Sequence, residues 1–240
     1  MIALLKIEWL RMTRNKKYIF FTAAMPIAFF IVFSSMIKGA DKLFVEQFML
    51  SMTTFCLTSF AFFNFPFDIM EDRNNGWNET LQKVPLNKYQ VITVKVIKMT
   101  IESFICIVLI FLTGYFLKGI QLSLSQWVIS GLVLLLGSVI FLSLGLLLTL
   151  FSSMQTASLF SNILYLGLAI LGGLWFPLNQ FPKWVQELGK CTPTYHFREL
   201  AVGYIDKGNI PIQSTIILCS YCLVFLLVYV FLSKKRDTSL

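Results

Sequence analysis

Charged residues are scarce in this 240-residue chain, and long charge-free stretches separate those that are present. Only 13% of the residues are Asp, Glu, Lys or Arg, whereas 57% are hydrophobic and 24 are Phe. A soluble fold of this size could not cover that much apolar surface with the polar residues that remain. Intrinsic disorder is excluded as well, because disordered chains are rich in charge and poor in aromatic residues. The composition therefore indicates a membrane protein.

Residues that carry enzyme and metal chemistry are also few. The chain has a single His, His196, and contains no G-x-x-x-x-G-K-[ST] phosphate-binding loop. A Ser–His catalytic pair, a His-rich metal site and ATP binding through such a loop are therefore not expected. Cys219 and Cys222 are spaced as C-x-x-C, but they lie in an apolar stretch without a second pair, so packing explains them better than redox or zinc chemistry. We expect no catalytic residue, no metal and no cofactor in this chain.

Apolar runs long enough to cross a bilayer account for most of the sequence. A transmembrane helix needs about 20 apolar residues to span about 30 Å of hydrocarbon. No ionisable Asp, Glu, Lys, Arg or His occurs between Lys118 and Lys183, and these 64 residues suit two helices. The sequence predicts an all-α, polytopic membrane protein with six transmembrane helices, over residues of about 19–37, 47–67, 99–117, 127–150, 154–176 and 210–232.

The third predicted span contains one acid, Glu102, near its end. The ten Leu, Ile, Phe and Val residues that follow contribute roughly −3 to −6 kcal/mol to insertion, against about +2.5 to +3.5 kcal/mol for a central acid. The apolar side chains therefore outweigh the acid. An acid inside a span is a candidate functional group, but Lys98 lies one helical turn earlier, so the spacing favours a structural ion pair between Lys98 and Glu102.

The distribution of Lys and Arg predicts the orientation in the cell membrane. Thirteen lie on the side of both termini and seven on the other, which places both termini in the cytoplasm. Residues 1–17 form a basic arm in which Ile2, Leu5, Trp9 and Met12 share one side of a helix, as in an amphipathic helix that lies on lipid headgroups. The net charge of +8 is therefore attributed to anionic membrane lipid, with no nucleic acid as partner.

A polar segment, residues 68–90, joins the second and third predicted spans. Trp77, Leu81 and Val84 are spaced to meet on one short helix, which would suit a groove on a partner protein. The alternative is a solvated connector whose Trp rests at the membrane interface. Both interpretations remain open on the residues alone.

The opposite side has its own irregular segment, residues 177–209, where repeated prolines must break the backbone. Within the spans the polar groups are uncharged, and they either hydrogen-bond between helices or line a path. Ala169 and Gly173 form a small-x-x-x-small pair that would let another helix approach closely. The candidate pathway or dimer-interface residues are Thr54, Thr58, Ser158, Asn162, Tyr165, Ala169 and Gly173.

The order of these motifs is the most informative feature of the sequence. Glu71 and Asp72 precede Gly76, and Pro85 follows Gly76 nine positions later. The outer motif consists of Gly173, Phe176, Pro177, Pro182, Trp184, Pro193 and Arg198, and Pro26 lies in the first span. In topology and motif order the chain resembles the permease subunits of type-2 ATP-binding cassette (ABC) exporters.

That resemblance implies a single permease domain over residues 1–240 that works with a separate ABC ATPase subunit, which would hold ATP and Mg²⁺, and with a second permease subunit in a homodimer or heterodimer. It implies export of an amphiphilic substrate such as a drug, a hydrophobic peptide or a lipid. It also assigns ATPase coupling to Glu71, Asp72, Gly76, Trp77, Leu81 and Pro85. An outer gate would comprise Phe176, Pro177, Pro182, Trp184, Pro193 and Arg198.

Three alternative functions are compatible with a multi-pass membrane protein to different degrees. The same architecture would suit export of a lipid-linked glycan, and a membrane scaffold or sensor without transport activity is a further alternative. An intramembrane enzyme needs convergent acids, a His or an activated Ser within the spans, and only one such group, Glu102, is available there.

Overall fold

The computed structural model describes residues 2–14, 16–36, 41–75 and 88–237, and within these ranges it contains helices and turns but no strand. Two N-terminal helices, α1 (Ile2–Arg14) and α2 (Lys16–Met36), precede a long one in which α3 (Lys42–Ser59) continues through a π-helical turn (Phe60–Asn64) into α4 (Phe65–Asn74). The remaining helices are α5 (Lys88–Lys118), α6 (Leu124–Leu148), α7 (Met154–Leu171), α8 (Lys183–Lys190), α9 (Pro193–Lys207) and α10 (Ile212–Asp237), with a 3₁₀ turn at Leu178–Gln180.

Five of the described helical segments are long and apolar enough to cross a membrane. They are Lys42–Asn74, Gln90–Lys118, Leu124–Leu148, Met154–Leu171 and Ile212–Lys235. The first predicted span, residues 19–37, falls on α2, whose described apolar part, Thr22–Met36, is shorter than these. The all-helical, multi-pass architecture predicted from the composition is confirmed.

The helix formed by α3, the π turn and α4 lies at the centre of the bundle. In its apolar stretch 94% of the residues are buried, against 6% in α10, which lies at the periphery. Helices α2, α5, α6 and α9 all pack against α3. Its fully buried rings, Phe55, Phe60, Phe62 and Phe65, supply much of the core. This helix therefore connects the two ends of the molecule through a rigid, close-packed interior.

Helix α6 approaches this central helix most closely at the π turn. A Cβ atom on Gly145 would lie only 2.4 Å from the carbonyl oxygen of Ala61 and 3.1 Å from Cδ1 of Phe65. Only glycine leaves room for the two backbones to come this close. The contact fixes the position of α6 along the central helix.

Two predicted boundaries need correction. The fifth span was expected to run to residue 176, but α7 ends at Leu171. Gly173 adopts a φ of +71°, and the amide of Leu174 donates to the carbonyl oxygen of Ala169 at 2.9 Å. This is the hydrogen bond of a Schellman C-cap, which ends the helix although the apolar sequence continues.

The predicted polar segment 68–90 is helical at both ends, because α4 extends to Asn74 and α5 begins at Lys88. Charged residues such as Asp68 and Asp72 favoured a loop in the sequence-based prediction. In the structure both lie on α4, because Lys95 of α5 neutralises them. Gly76, Trp77, Leu81 and Pro85 lie outside the described residues, so their predicted roles remain predictions.

Candidate functional site

One end of the bundle holds a group of charged side chains that we call the charge cluster. Three acids and three bases form it, from α1, α4 and α5: Glu8, Arg11, Asp68, Asp72, Lys95 and Lys98. All except Arg11 have side chains that are at most 18% exposed. Buried charges are stable only when opposite charges neutralise them, and here the signs are equal in number.

Lys95 lies at the centre of the charge cluster. Its Nζ atom is 2.6 Å from Oδ2 of Asp72, 3.1 Å from Oδ2 of Asp68 and 3.7 Å from Oε1 of Glu8. It also donates to the backbone carbonyl of Asp68 at 3.3 Å. The side chain is 2% exposed. Lys95 therefore joins α5 to both α4 and α1 at a site that is shielded from bulk water.

The other two bases extend these contacts. Nζ of Lys98 lies 2.9 Å from Oδ2 of Asp68 and 3.4 Å from Oε2 of Glu8. Arg11 donates to Oδ1 of Asp72 at 2.9 Å and lies 3.2 Å from Glu8. Burial lowers the pKa of Arg11, but the Asp72 carboxylate outweighs this, and the pKa is raised overall. The arm is therefore tied to both membrane helices by ionised groups.

The ion pair predicted between Lys98 and Glu102 is wrong. Lys98 reaches across to Asp68 and Glu8 instead. Glu102 is 3% exposed, and its Oε2 atom has no hydrogen-bond partner within the described part of the chain. The flexible lysine stem permits the longer reach, and two carboxylates outside its own helix neutralise it better than one within it.

A cleft of about 490 Å³ opens beside the charge cluster. Its lining comprises Arg11, Met12, Arg14, Asn64, Phe67, Asp68, Glu71, Asp72, Asn75, Lys98, Met99 and Glu102. Of the two predicted coupling acids that are described, Asp72 belongs to the buried cluster, whereas Glu71 is exposed at the cleft. Asn75 donates weakly to Glu71 at 3.5 Å.

Arg73 connects the same end to a further pair of helices. Its guanidinium donates to the carbonyl oxygens of Thr149 at 3.2 Å and Phe151 at 3.1 Å, in the turn between α6 and α7. A cation at a helix C-terminus satisfies carbonyls that lack partners in the helix and opposes its negative dipole end. The sequence did not indicate this contact.

The predicted pathway residues do not form one polar surface. Thr54 and Thr58 are buried and donate to carbonyls of their own helix, those of Leu50 and Phe55, both at 2.9 Å. Tyr165 is buried as well; its hydroxyl donates to the carbonyl of Phe55 at 3.1 Å, and the two rings stack at 4.6 Å. Tyr165 therefore joins α7 to α3, whereas the hydroxyl groups of Thr54 and Thr58 bond within α3.

The remaining members of that set divide between the two faces of α7. Ala169 and Gly173 are buried, whereas Asn162 is exposed and donates to the carbonyl of Ser158 at 2.9 Å. Asn162 is exposed and Ser158 is half-buried beside it, away from the buried face of α7. Their role in a pathway or a dimer interface remains a prediction.

The predicted outer-gate residues lie at the opposite end of the central helix. Nε of Arg198 donates to Oγ of Ser51 at 2.7 Å, and Nη1 donates to Glu199 at 2.9 Å. Burial lowers the pKa of Arg198 and raises that of Glu199. The bond to Ser51 docks α9 on α3, and the bond to Glu199 lies within α9.

Proline and aromatic residues shape the rest of that end. Pro193 occupies the first turn of α9, where the missing N–H costs nothing, after the N-cap Thr192. Phe176 meets Phe33 edge to face at 6.3 Å. Trp184 is 67% exposed, and Pro177 and Pro182 flank the 3₁₀ turn.

The fold and these sites define a multi-pass, all-helical membrane protein with one densely charged end. Comparison with known proteins narrows this class. The family model of ABC-2 type transporters matches residues 1–205. The chain is also 29% identical over 233 residues to "Putative transport permease YvfS" of Bacillus subtilis (strain 168). The matched region covers 96% of this chain and 95% of the relative. The chain belongs to the ABC-2 type transporter family, and the resemblance seen in its motifs is confirmed.

Proposed function

We propose that this chain is the membrane-spanning subunit of an ABC exporter and that a separate ATPase subunit supplies its energy. In this proposal six helices cross the membrane, α2 being the first, both termini are cytoplasmic, and a second permease subunit completes the pathway. The domain comprises residues 1–240, with the charge cluster on the cytoplasmic side. Family membership supports the transport role, and the charge cluster supports the coupling role.

The coupling argument depends on where the charge cluster lies in the chain. Residues 76–87 connect α4 to α5, and Lys95 of α5 contacts Asp68 and Asp72 of α4 within 3.1 Å. Force applied to the connecting segment by an ATPase would therefore reach two helices that are already joined. Arg73 would transmit the displacement to the turn between α6 and α7. This ion-paired junction is the single observation that carries the mechanism.

The proposed substrate class is supported by the apolar character of the helices. The spans hold few charges, and exposed apolar side chains are frequent on α7 and α10. An amphiphile such as a drug, a hydrophobic peptide or a lipid would partition into this environment, whereas a small hydrophilic solute would not. We therefore propose outward movement of an amphiphilic substrate.

The test replaces residues 76–81 with a Gly-Ser stretch of equal length and co-expresses the variant with its ATPase. We expect normal membrane insertion, but ATP hydrolysis that no longer drives uptake of rhodamine 6G into inside-out vesicles. The matched control replaces the exposed residues 207–210 in the same way and should leave transport intact. Unchanged uptake by the 76–81 variant, or a purified chain that retains no ATPase, would contradict the proposal.

A further inference from the structure

Glu102 is a buried acid that the proposed coupling mechanism does not use. It lies on α5, one helical turn beyond Lys98, and it is 3% exposed. Among the described residues its Oε2 atom has no hydrogen-bond partner, and Lys98 attracts the carboxylate without forming an ion pair with it. A buried carboxylate that lacks a directly bonded partner is costly and therefore calls for a functional explanation.

The surroundings of Glu102 are those of a binding cleft. It lines the cleft of about 490 Å³ beside the charge cluster, a volume within the range of about 300–1,000 Å³ typical of ligand sites. The ionic lining holds four carboxylates, Asp68, Glu71, Asp72 and Glu102, against three cations, Arg11, Arg14 and Lys98. Lys98 and Arg11 already contact acids of the charge cluster. Of the lining carboxylates outside the charge cluster, Glu71 is exposed and Glu102 is buried, so Glu102 is the buried negative charge that a ligand would meet.

The rest of the lining suits an apolar ligand body. Phe67, Met12 and Met99 line the same cleft. An aromatic face attracts an organic cation, and methionine adapts to ligands of irregular shape. A metal ion fits less well, since the described residues contain no group of three or more His, Cys, Asp or Glu side chains arranged to hold one.

We propose that this cleft binds a lipophilic organic cation and that the Glu102 carboxylate neutralises its charge. The inference rests on the proposed transport function, because it names the substrate class that would enter from the end carrying the charge cluster. It requires only that the cation displace water near Glu102 while its apolar part contacts Phe67 and the two methionines. The acids of the charge cluster keep their own partners.

Tetraphenylphosphonium and tetraphenylborate provide the test, because the two ions have nearly the same shape and opposite charge. Binding of each would be measured by equilibrium dialysis to the full-length chain in nanodiscs of zwitterionic lipid, with empty nanodiscs subtracted. We expect the cation to bind and the anion to bind at least about tenfold more weakly. Glu102→Gln should weaken binding of the cation by about tenfold or more, because it removes the charge and keeps the shape.

Two variants serve as controls. Glu102→Asp keeps the charge and should bind the cation more tightly than Glu102→Gln. Glu187→Gln makes the same chemical change on α8, where the side chain is 75% exposed, and should bind as the unmodified chain does. Equal affinity of Glu102→Gln and the unmodified chain for the cation, or equal affinity of the unmodified chain for both ions, would overturn the proposal.

A second measurement on the unmodified chain avoids any dependence on folding of a variant. Dicyclohexylcarbodiimide labels carboxyl groups in apolar surroundings, and mass spectrometry of the peptide containing Glu102 reports the rate. Tetraphenylphosphonium should slow this labelling and tetraphenylborate should not; no protection by the cation contradicts the site. Neither experiment involves an ATPase, so a failed binding site is distinguishable from a failed transport function, which ATPase co-purification reports separately.

Discussion

The two ends of the central helix are held by different kinds of contact. At the α4 end, the charge cluster joins three helices through carboxylates and cations that each contact more than one partner. At the α3 end, the helices are joined by separate contacts, Arg198 to Ser51 and Gln47 to Asp206 at 2.9 Å, and Arg198 also pairs with Glu199 of its own helix. Aromatic contacts such as Phe33 with Phe176 fill the space between them.

This difference predicts that removing one side chain will affect stability differently at the two ends. Removing one member of a shared buried cluster leaves several charges uncompensated, and that penalty is larger than the loss of the bonds themselves. Removing a side chain at the α3 end leaves only the one or two groups that it contacts without a partner. The α4 end should therefore behave as one unit, and the α3 end as a set of separate contacts.

The largest effect is expected from Lys95→Met, which keeps the stem and removes the cation. Glu8, Asp68 and Asp72 would lose a shared, 2% exposed partner, and we expect a loss of about 3–5 kcal/mol of stability. Unfolding in detergent would measure it. The matched control is Lys190→Met, whose pair with Glu187 is exposed and should cost less than about 1 kcal/mol.

A double variant sharpens this prediction. Adding Asp72→Asn to Lys95→Met removes one of the uncompensated charges, so the pair should be more stable than the sum of the two single changes predicts. Strict additivity would mean that the charge cluster does not act as a unit.

An intermediate effect is expected from Arg198→Met at the opposite end. The change removes hydrogen bonds to Ser51 and Glu199, each from a charged donor, and should cost about 1.5–3 kcal/mol. Ser51→Ala removes only one acceptor and should cost less. A loss in Arg198→Met as large as that in Lys95→Met would erase the proposed difference between the two ends.

The smallest effect concerns pH and His196, whose Nδ1 lies 3.1 Å from Oγ of Ser214. Burial lowers the pKa of His196 below its usual value of 6.5. The folded chain therefore favours neutral imidazole, and the associated stability is present above that usual value and is lost as the pH falls below it. His196→Asn retains a polar partner for Ser214 and cannot titrate.

Thermal unfolding of the two chains between about pH 7.5 and 5.5 would measure this. The unfolding temperature of the unmodified chain should fall more steeply with decreasing pH than that of His196→Asn. Identical slopes would show that His196 remains protonated to the same extent in the folded and unfolded chains.

The membrane fold was readable from the sequence because it depends on composition and on run length. Stretches such as residues 119–182 lack any ionisable Asp, Glu, Lys, Arg or His, and no soluble fold accommodates them. Boundaries were less predictable: Gly173 ends α7 by its conformation, and the partners that neutralise Asp68 and Asp72 lie far away in the chain.

The sequence contains a partial signal for the charge cluster. Glu8 and Arg11, Asp68 and Asp72, and Lys95 and Lys98 are pairs at spacings of three or four residues, which place both members on one helix face. What the sequence could not supply is that the three faces meet. The predicted Lys98–Glu102 pair does not form because Lys98 lies within ion-pairing distance of Asp68 and Glu8, which come from other helices.

The close approach of Gly145 to the carbonyl of Ala61 limits how α6 can move. Sliding α6 along the central helix by about one turn would bring Phe141 or Thr149, four residues away on the same face of α6, to a point where even a methyl group would collide. Rotation about this point requires no such collision. A displacement that begins near residues 76–87 would therefore tilt α6 about its contact at Gly145. The N-terminal end of α6, near Leu124, would then move farther than the end close to Gly145.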